Sequence, residues 1–482
     1  MNARYASRAA LAALLLPMAA AGAQARLDRS VQPKAGPAPV IHVPTWTSTT
    51  LANGARLVVV EKHDLPLVAV NVDFVGGSST YEPADKVGLA NFAAAMLSEG
   101  TTTRTADQLS DAQQLLGTSI NASIGAETGT IRFTALKSKL VPALDLLADM
   151  MLHSTDPDAS LERLRARSLV NLTQAKDRPN DIANNVFARV VYGDQHPYGR
   201  ILTEGSLKAI TRGDVVAFQQ AYFRPGHAVI TVAGDVKPAE VKTIIERALA
   251  AWPAGGERPS FAYGAVPAPR ARTIYLVDKP KAAQSVFAFG TAGPPRDTPD
   301  YYALQVMNMI LGGLFQSRLN HDIREVKGFS YGVFSSFAYG RGPGAFRAGG
   351  GIVSAKTDSA LMGFMEHLRG VQGGVPFTDD EIQQGKESLI QSLPSRFSTV
   401  NGIAASVGSI YTQDLPANYW SDYAAKVNAV TRDDLVRVAK RYIDVDHMDL
   451  VIVGDRASIE APLRATGIAP IVVLDAEGKP LP

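Results

Sequence analysis

Residues 88–101 read Gly-Leu-Ala-Asn-Phe-Ala-Ala-Ala-Met-Leu-Ser-Glu-Gly-Thr. Positions four apart on a helix project from one face. Two His so spaced can share a metal ion, with an acid between them as general base. On a helix formed by this segment, Asn91 and Ala95 stand at that spacing, with Ala94 between them. Ala offers neither ligand nor base, and Asn91 offers a neutral amide, a poor zinc ligand. The eight His of the chain, His42, His63, His153, His196, His227, His321, His367 and His447, nowhere form a local pair. No metal is expected on this chain.

Around this segment lie 482 residues, 46% hydrophobic and 20% charged, enough for two or more domains with large cores. A formal charge of +2 gives no reason to invoke nucleic acid. The chain has no Cys, which excludes disulfides and thiol chemistry. At the N-terminus, Arg4 and Arg8 precede an uncharged apolar run from Ala9 to Ala21, and small residues at Ala21-Gly-Ala23 and Ala23-Gln-Ala25 fit a cleavage site. Residues 1–25 therefore read as a secretory signal peptide cleaved near Ala23 or Ala25. The run is too short for a membrane span, and none follows it. A mitochondrial transit peptide is the alternative, but a continuous apolar core is not amphipathic as such peptides are. In a Gram-negative source the exported chain would be periplasmic. Residues 26–48, rich in Pro and polar side chains, read as an extended arm.

Beyond the arm, strand and helix patterns alternate in blocks, which predicts an α+β architecture. Val68, Val70, Val72 and Phe74 alternate with Ala69, Asn71 and Asp73, the pattern of a half-buried strand. Leu140, Leu144, Leu147 and Met151 fall at helical spacing. An internal repeat organises the whole. Ile210-Thr-Arg-Gly-Asp opens a stretch ending at Gly234-Asp235, and Val430-Thr-Arg-Asp-Asp opens one ending at Gly454-Asp455, aligned without a gap at an offset of 220. Each copy reads as a Thr-capped helix followed by an apolar strand. One repeat of this size implies duplicated domains. They are expected at residues 49–253 and 273–465, with a Pro/Gly-rich linker at 254–272 and a tail at 466–482. His227 and His447 recur just before the repeated strands and read as structural.

The frame around residues 88–101 resembles the zinc helix of the insulinase (pitrilysin-like) metallopeptidases, in which Gly-Leu-Ala is followed by the inverted motif H-x-x-E-H. The resemblance extends to Leu51-Ala-Asn-Gly-Ala-Arg-Leu, Val75-Gly-Gly-Ser-Ser, His196-Pro-Tyr-Gly, Trp252, Phe315-Gln-Ser-Arg-Leu and Arg324-Glu-Val-Lys-Gly-Phe-Ser-Tyr331, over about residues 45–460. It implies two homologous domains of the LuxS/processing-peptidase-like type, each a mainly antiparallel sheet packed with helices. It also makes Asn91, Ala94 and Ala95 a degenerate zinc motif. The window for the family's distal Glu ligand, Leu169-Val-Asn-Leu-Thr-Gln174, contains no acid either.

What the resemblance retains is the other half of the family's equipment. Arg324 and Tyr331 match in type and spacing an Arg/Tyr pair that reaches across the chamber to bind substrate. An Arg supplies a permanent cation with a rigid set of donors, and a Tyr one hydroxyl; both can hydrogen-bond a peptide carbonyl or an oxyanion. Gly328 is expected to end the helix carrying Arg324, and a strand to begin near Phe329. Some bacterial members, and the mitochondrial processing peptidase, pair a zinc subunit with one lacking the motif. The implied function is that of a non-catalytic, substrate-binding subunit, inactive alone, of a heterodimeric zinc endopeptidase acting on short or unfolded peptides. The zinc would lie in a homologous partner carrying H-x-x-E-H. The alternative is a structural or peptide-binding homodimer, or complex subunit, of the same fold. Gly312-Gly313 falls near the Gly-rich substrate loop of the mitochondrial enzyme's non-catalytic subunit but has only two Gly, and reads equally as a helix C-cap or tight turn. Gly349-Gly-Gly351 reads as close backbone packing in or beside a strand.

Overall fold

The computed structural model describes residues 42–261 and 263–481; the signal-peptide segment lies outside them. Two six-stranded sheets organise the molecule. The first contains β1 (Thr47–Thr50), β2 (Arg56–Glu61), β3 (Leu67–Val75), β4 (Asn121–Ile124), β5 (Thr128–Leu136) and β6 (Ala228–Gly234), in the order β1-β2-β6-β3-β5-β4. The second contains β7 (Thr273–Asp278), β8 (Gln284–Ala292), β9 (Ser330–Ala338), β10 (Ala345–Val353), β11 (Asp449–Gly454) and β12 (Ile471–Leu474), in the order β12-β7-β11-β8-β10-β9.

The sheets repeat each other strand for strand. In each, the first core strand runs parallel to the last, β2 to β6 and β7 to β11, while the hairpin strands pair antiparallel. Val68 faces Ala135 in the first sheet and Ser285 faces Ile352 in the second, both partners displaced by 217 residues. The repeat seen in the sequence is the helix–strand unit closing each half. Thr211 and Thr431 cap helices Arg212–Tyr222 and Arg432–Tyr442, each completing a capping box with an Asp three residues on. The outer edge strands break the symmetry. β1 joins β2 antiparallel from the N-terminal side, whereas β12 joins β7 in parallel. Within residues 466–482, expected as a tail, Ile471–Leu474 thus extends the second sheet, and Leu474 is buried in its core. The expected arm is likewise fixed at its end, where the Trp46 indole donates to the Tyr411 hydroxyl at 2.8 Å.

The two halves exchange helices. Helix Pro179–Tyr192, from the first half, lies on β8 and β11 of the second sheet. Its Ile182, Val186 and Phe187 pack with Tyr275, Val451 and Val453. Helix Val400–Thr412, from the second half, lies on β3 and β6 of the first sheet. Its Ile403, Ala404 and Val407 join Ala69, Val229 and Ala233 in one core. This exchange corrects the reading of Val68–Phe74 as half-buried. Ala69 and Asn71, on the supposed open face, are buried because the exchanged helix covers them.

Candidate functional site

The degenerate motif lies where the sequence predicts a helix, Leu89–Met96. Gly88 opens it at φ +107, a conformation that favours Gly, and a Cβ there would lie 2.8 Å from Leu202. In place of a side-chain cap on the preceding residue, the Glu82 carboxylate accepts from the Gly88 and Ala90 amides at 2.8 and 3.0 Å. An acid at this end is favoured by the helix dipole. Leu89, Phe92, Ala93 and Met96 face the core, Asn91 is exposed, and Ala94 is buried. The face that would present metal ligands is therefore formed, with no ligating group on it. Helix Asp158–Ala175 packs beside it and carries the distal window, where Asn171, Thr173 and Gln174 point to solvent. Among the described residues, no three His, Cys, Asp or Glu side chains converge to hold a metal. The donor set does not fit zinc.

Arg324 and Tyr331 fall on adjoining elements. The short helix Arg318–Asn320 continues as a π-helical turn, His321–Val326, that carries Arg324. Gly328, at φ +66, ends the turn, and β9 starts two residues later. Tyr331 is 87% exposed. The Arg324 guanidinium lies 4.5 Å above the centre of the exposed Phe315 ring and also pairs with Glu325. The turn is braced from below by Asp322, which pairs with Lys327 at 2.6 Å and His367 at 3.0 Å. Burial alone would raise the Asp322 carboxyl, but these partners outweigh it and hold the group below its ordinary value. Cross-strand register places Phe334 opposite Gly349 and Ser336 opposite Arg347. Arg347 reaches helix Pro179–Tyr192, stacking over Phe187 and bonding Asn184, so Phe334 shares the sheet face that the exchanged helix occupies. Gly349 and Gly350 are strand residues forced by close approach; a Cβ at Gly349 would lie 2.0 Å from the Phe287 carbonyl oxygen. No hydrogen bond or ion pair among the described residues links Arg324 or Tyr331 to helix Leu89–Met96.

A third polar centre was missed by sequence reasoning. Glu127, in the turn between β4 and β5, accepts from the backbone amides of Arg341 and Gly342, in the matching turn between β9 and β10, at 2.8 and 3.1 Å. The Tyr263 hydroxyl donates at 2.7 Å, and the Tyr198 hydroxyl also donates to it. Burial opposes ionisation of Glu127, but these donors outweigh it and depress its carboxyl. Tyr198 belongs to His196-Pro-Tyr-Gly, and the His196 ring accepts from the Tyr198 amide at 3.1 Å. That motif thus pins the two hairpins together, beside a cleft of about 600 Å³ lined by Tyr198, Arg200, Arg296, Tyr339 and Arg341. The motif match was the available signal; nothing in sequence ties Glu127 to it. His227 is buried, with Nδ1 3.2 Å from the Val75 carbonyl oxygen, and burial lowers its pKa. His447 is half-exposed and pairs with Asp444. Both are structural, by different contacts.

A duplicated α+β fold with an empty ligand face defines a peptidase-like protein without the residues for zinc catalysis. The chain belongs to the insulinase family. The family model described as "Insulinase (Peptidase family M16)" matches residues 56–202, and that described as "Peptidase M16 inactive domain" matches residues 209–389. The uncharacterized zinc protease YmxG of Bacillus subtilis is 26% identical over 359 residues, 73% of this chain and 84% of YmxG. A crystal structure of a peptidase M16 inactive domain from Pseudomonas fluorescens superposes with a TM-score of 0.78 at 26% identity, covering 85% of this chain and 98% of that one. The periplasmic protease PqqL of Escherichia coli shares the fold, with a TM-score of 0.71 at 16% identity over 88% of this chain and 47% of PqqL.

Proposed function

We propose that this chain is the non-catalytic, substrate-binding subunit of an exported heterodimeric zinc endopeptidase. A homologous partner with H-x-x-E-H supplies the metal and the general base. This chain supplies Arg324 and Tyr331 and one wall of the peptide chamber. The observation that carries the reading is the asymmetry within one chain. The ligand face at Asn91, Ala94 and Ala95 is bare, while Tyr331 stands exposed on β9, the strand that follows the turn carrying Arg324. A protein kept for its scaffold alone has no need of an exposed Tyr at the edge of a sheet.

Substrates of this reading are short or unfolded peptides. β9 is the edge strand of the second sheet, so an extended peptide can add to it by main-chain hydrogen bonds. Tyr331 and Arg324 would then hydrogen-bond the carbonyl at the reacting bond, and Tyr331 would stabilise the oxyanion as it forms. Export rests on the N-terminal signal-peptide pattern. No described helix is long and apolar enough to cross a membrane.

The test is purification of the native complex with its metal content. The account expects a co-purifying homologue with H-x-x-E-H, and zinc that stays with that homologue when the subunits are separated. A homodimer, or zinc retained by this chain, contradicts it.

A further inference from the structure

Asn320 is wholly buried at the start of the turn that carries Arg324. Its Nδ2 donates to the Phe315 carbonyl oxygen at 2.7 Å, and its Oδ1 accepts from the Val333 amide at 3.0 Å. The first bond fixes the backbone of the ring on which the Arg324 guanidinium lies. The second fixes β9 two residues beyond Tyr331. One buried amide thereby ties the platform of the first residue to the strand of the second.

The strand is irregular at this point. Val333 faces Gly350 and Ser330 faces Ile352, so Tyr331 and Gly332 together oppose the single residue Gly351. A β-bulge of this kind re-aims the side chain it carries. Ser330, 8% exposed, closes it: its Oγ donates to the Gly351 carbonyl oxygen at 2.6 Å and accepts from the Gly332 amide at 3.0 Å. Across the bulge Gly350 adopts φ +155, and a Cβ there would lie 2.5 Å from the Gly332 carbonyl oxygen. A buried Asn side chain must find partners. An apolar residue would fill the space of Asn320 but leave the Phe315 carbonyl and the Val333 amide unpaired.

We infer that Asn320 and Ser330 are positioning residues that hold Arg324 and Tyr331 in one fixed arrangement for a bound peptide. The inference rests on reading Arg324 and Tyr331 as the substrate-binding pair. Its test begins on the full-length chain alone, by amide hydrogen exchange. In Asn320→Leu and in Ser330→Ala, deuteration over residues 329–334 rises several-fold while β3 is unchanged; Ser330→Thr, which keeps the hydroxyl, behaves as wild type. In the complex with a zinc-bearing homologue, Asn320→Leu lowers kcat/KM about ten-fold, but no more than about two-fold when Tyr331 is already Phe, because residues acting through one group are not additive. Unchanged exchange at 329–334, or an equal loss in both backgrounds, overturns the inference. Should Asn320→Leu fail to fold, the two Ser330 variants decide it alone. If Tyr331→Phe by itself leaves turnover intact, the reading of the pair fails instead.

Discussion

Asp73 sits on β3 beneath the exchanged helix Val400–Thr412, where a Cβ at Gly408 would come within 3.1 Å of its carboxylate. Burial pushes its carboxyl up to about 6, against the pull of Thr130 and Arg132. An unfolded Asp titrates near 3.9. The folded state therefore holds the proton more tightly, and stability falls as pH rises from about 4 to about 6. Asp73→Asn should stabilise the protein by roughly 1–3 kcal/mol near pH 7.5 and by nothing below about pH 4. Thermal melts at both pH values check this. Glu127 titrates in the opposite sense. Its carboxyl is depressed in the folded state, so its contribution is present at neutral pH and lost as pH falls through the folded value. Glu127→Gln should cost about 1–3 kcal/mol at neutral pH, and the gap from wild type should close in acid. A constant gap would mean that the carboxylate charge is not what holds the hairpins.

Among the elements, local signals were legible and long-range ones were not. The capping boxes at Thr211 and Thr431 depend on residues three apart, so the sequence displays them outright. The Gly328 stop and the start of β9 are local in the same way. The exchange of helices Pro179–Tyr192 and Val400–Thr412 is different. Periodicity shows that such a helix has an apolar face, but not which sheet that face covers. The same blindness made β3 look half-exposed and left Glu127 unnoticed, since its partners lie between 71 and 215 residues away. Thr431→Ala should cost about 1 kcal/mol, the usual worth of an N-cap, measured by denaturant unfolding. Phe187→Ala should cost about 3–5 kcal/mol, because it empties a buried site. If that site is the second sheet's core, the variant should loosen β8 and β11 in amide exchange, despite lying in the first half of the sequence.

At the scale of the molecule, exchange makes a duplicated chain behave as one body. Each sheet is covered on one face by a helix from the other half, so unfolding of either half would uncover the sheet of the other. Calorimetry should show one cooperative transition where a simple tandem of domains would show two. Cleavage within residues 254–272, which carry no helix or strand among those described, should leave the fragments associated under native conditions. The same architecture keeps a frame with its ligands removed firmly folded. Asn91, Ala94 and Ala95 remove chemistry without removing structure, while Arg324 remains on the turn before β9 and Tyr331 on β9, the edge strand of the second sheet. The most direct test of a divided enzyme is peptide hydrolysis by this chain mixed with a homologue carrying H-x-x-E-H. The account predicts no turnover by this chain alone, turnover by the mixture, and a loss of roughly 10²–10³ in kcat/KM for Arg324→Ala in this chain, the scale of removing one oxyanion donor. Hydrolysis by this chain alone, or a mixture indifferent to Arg324→Ala, would contradict it.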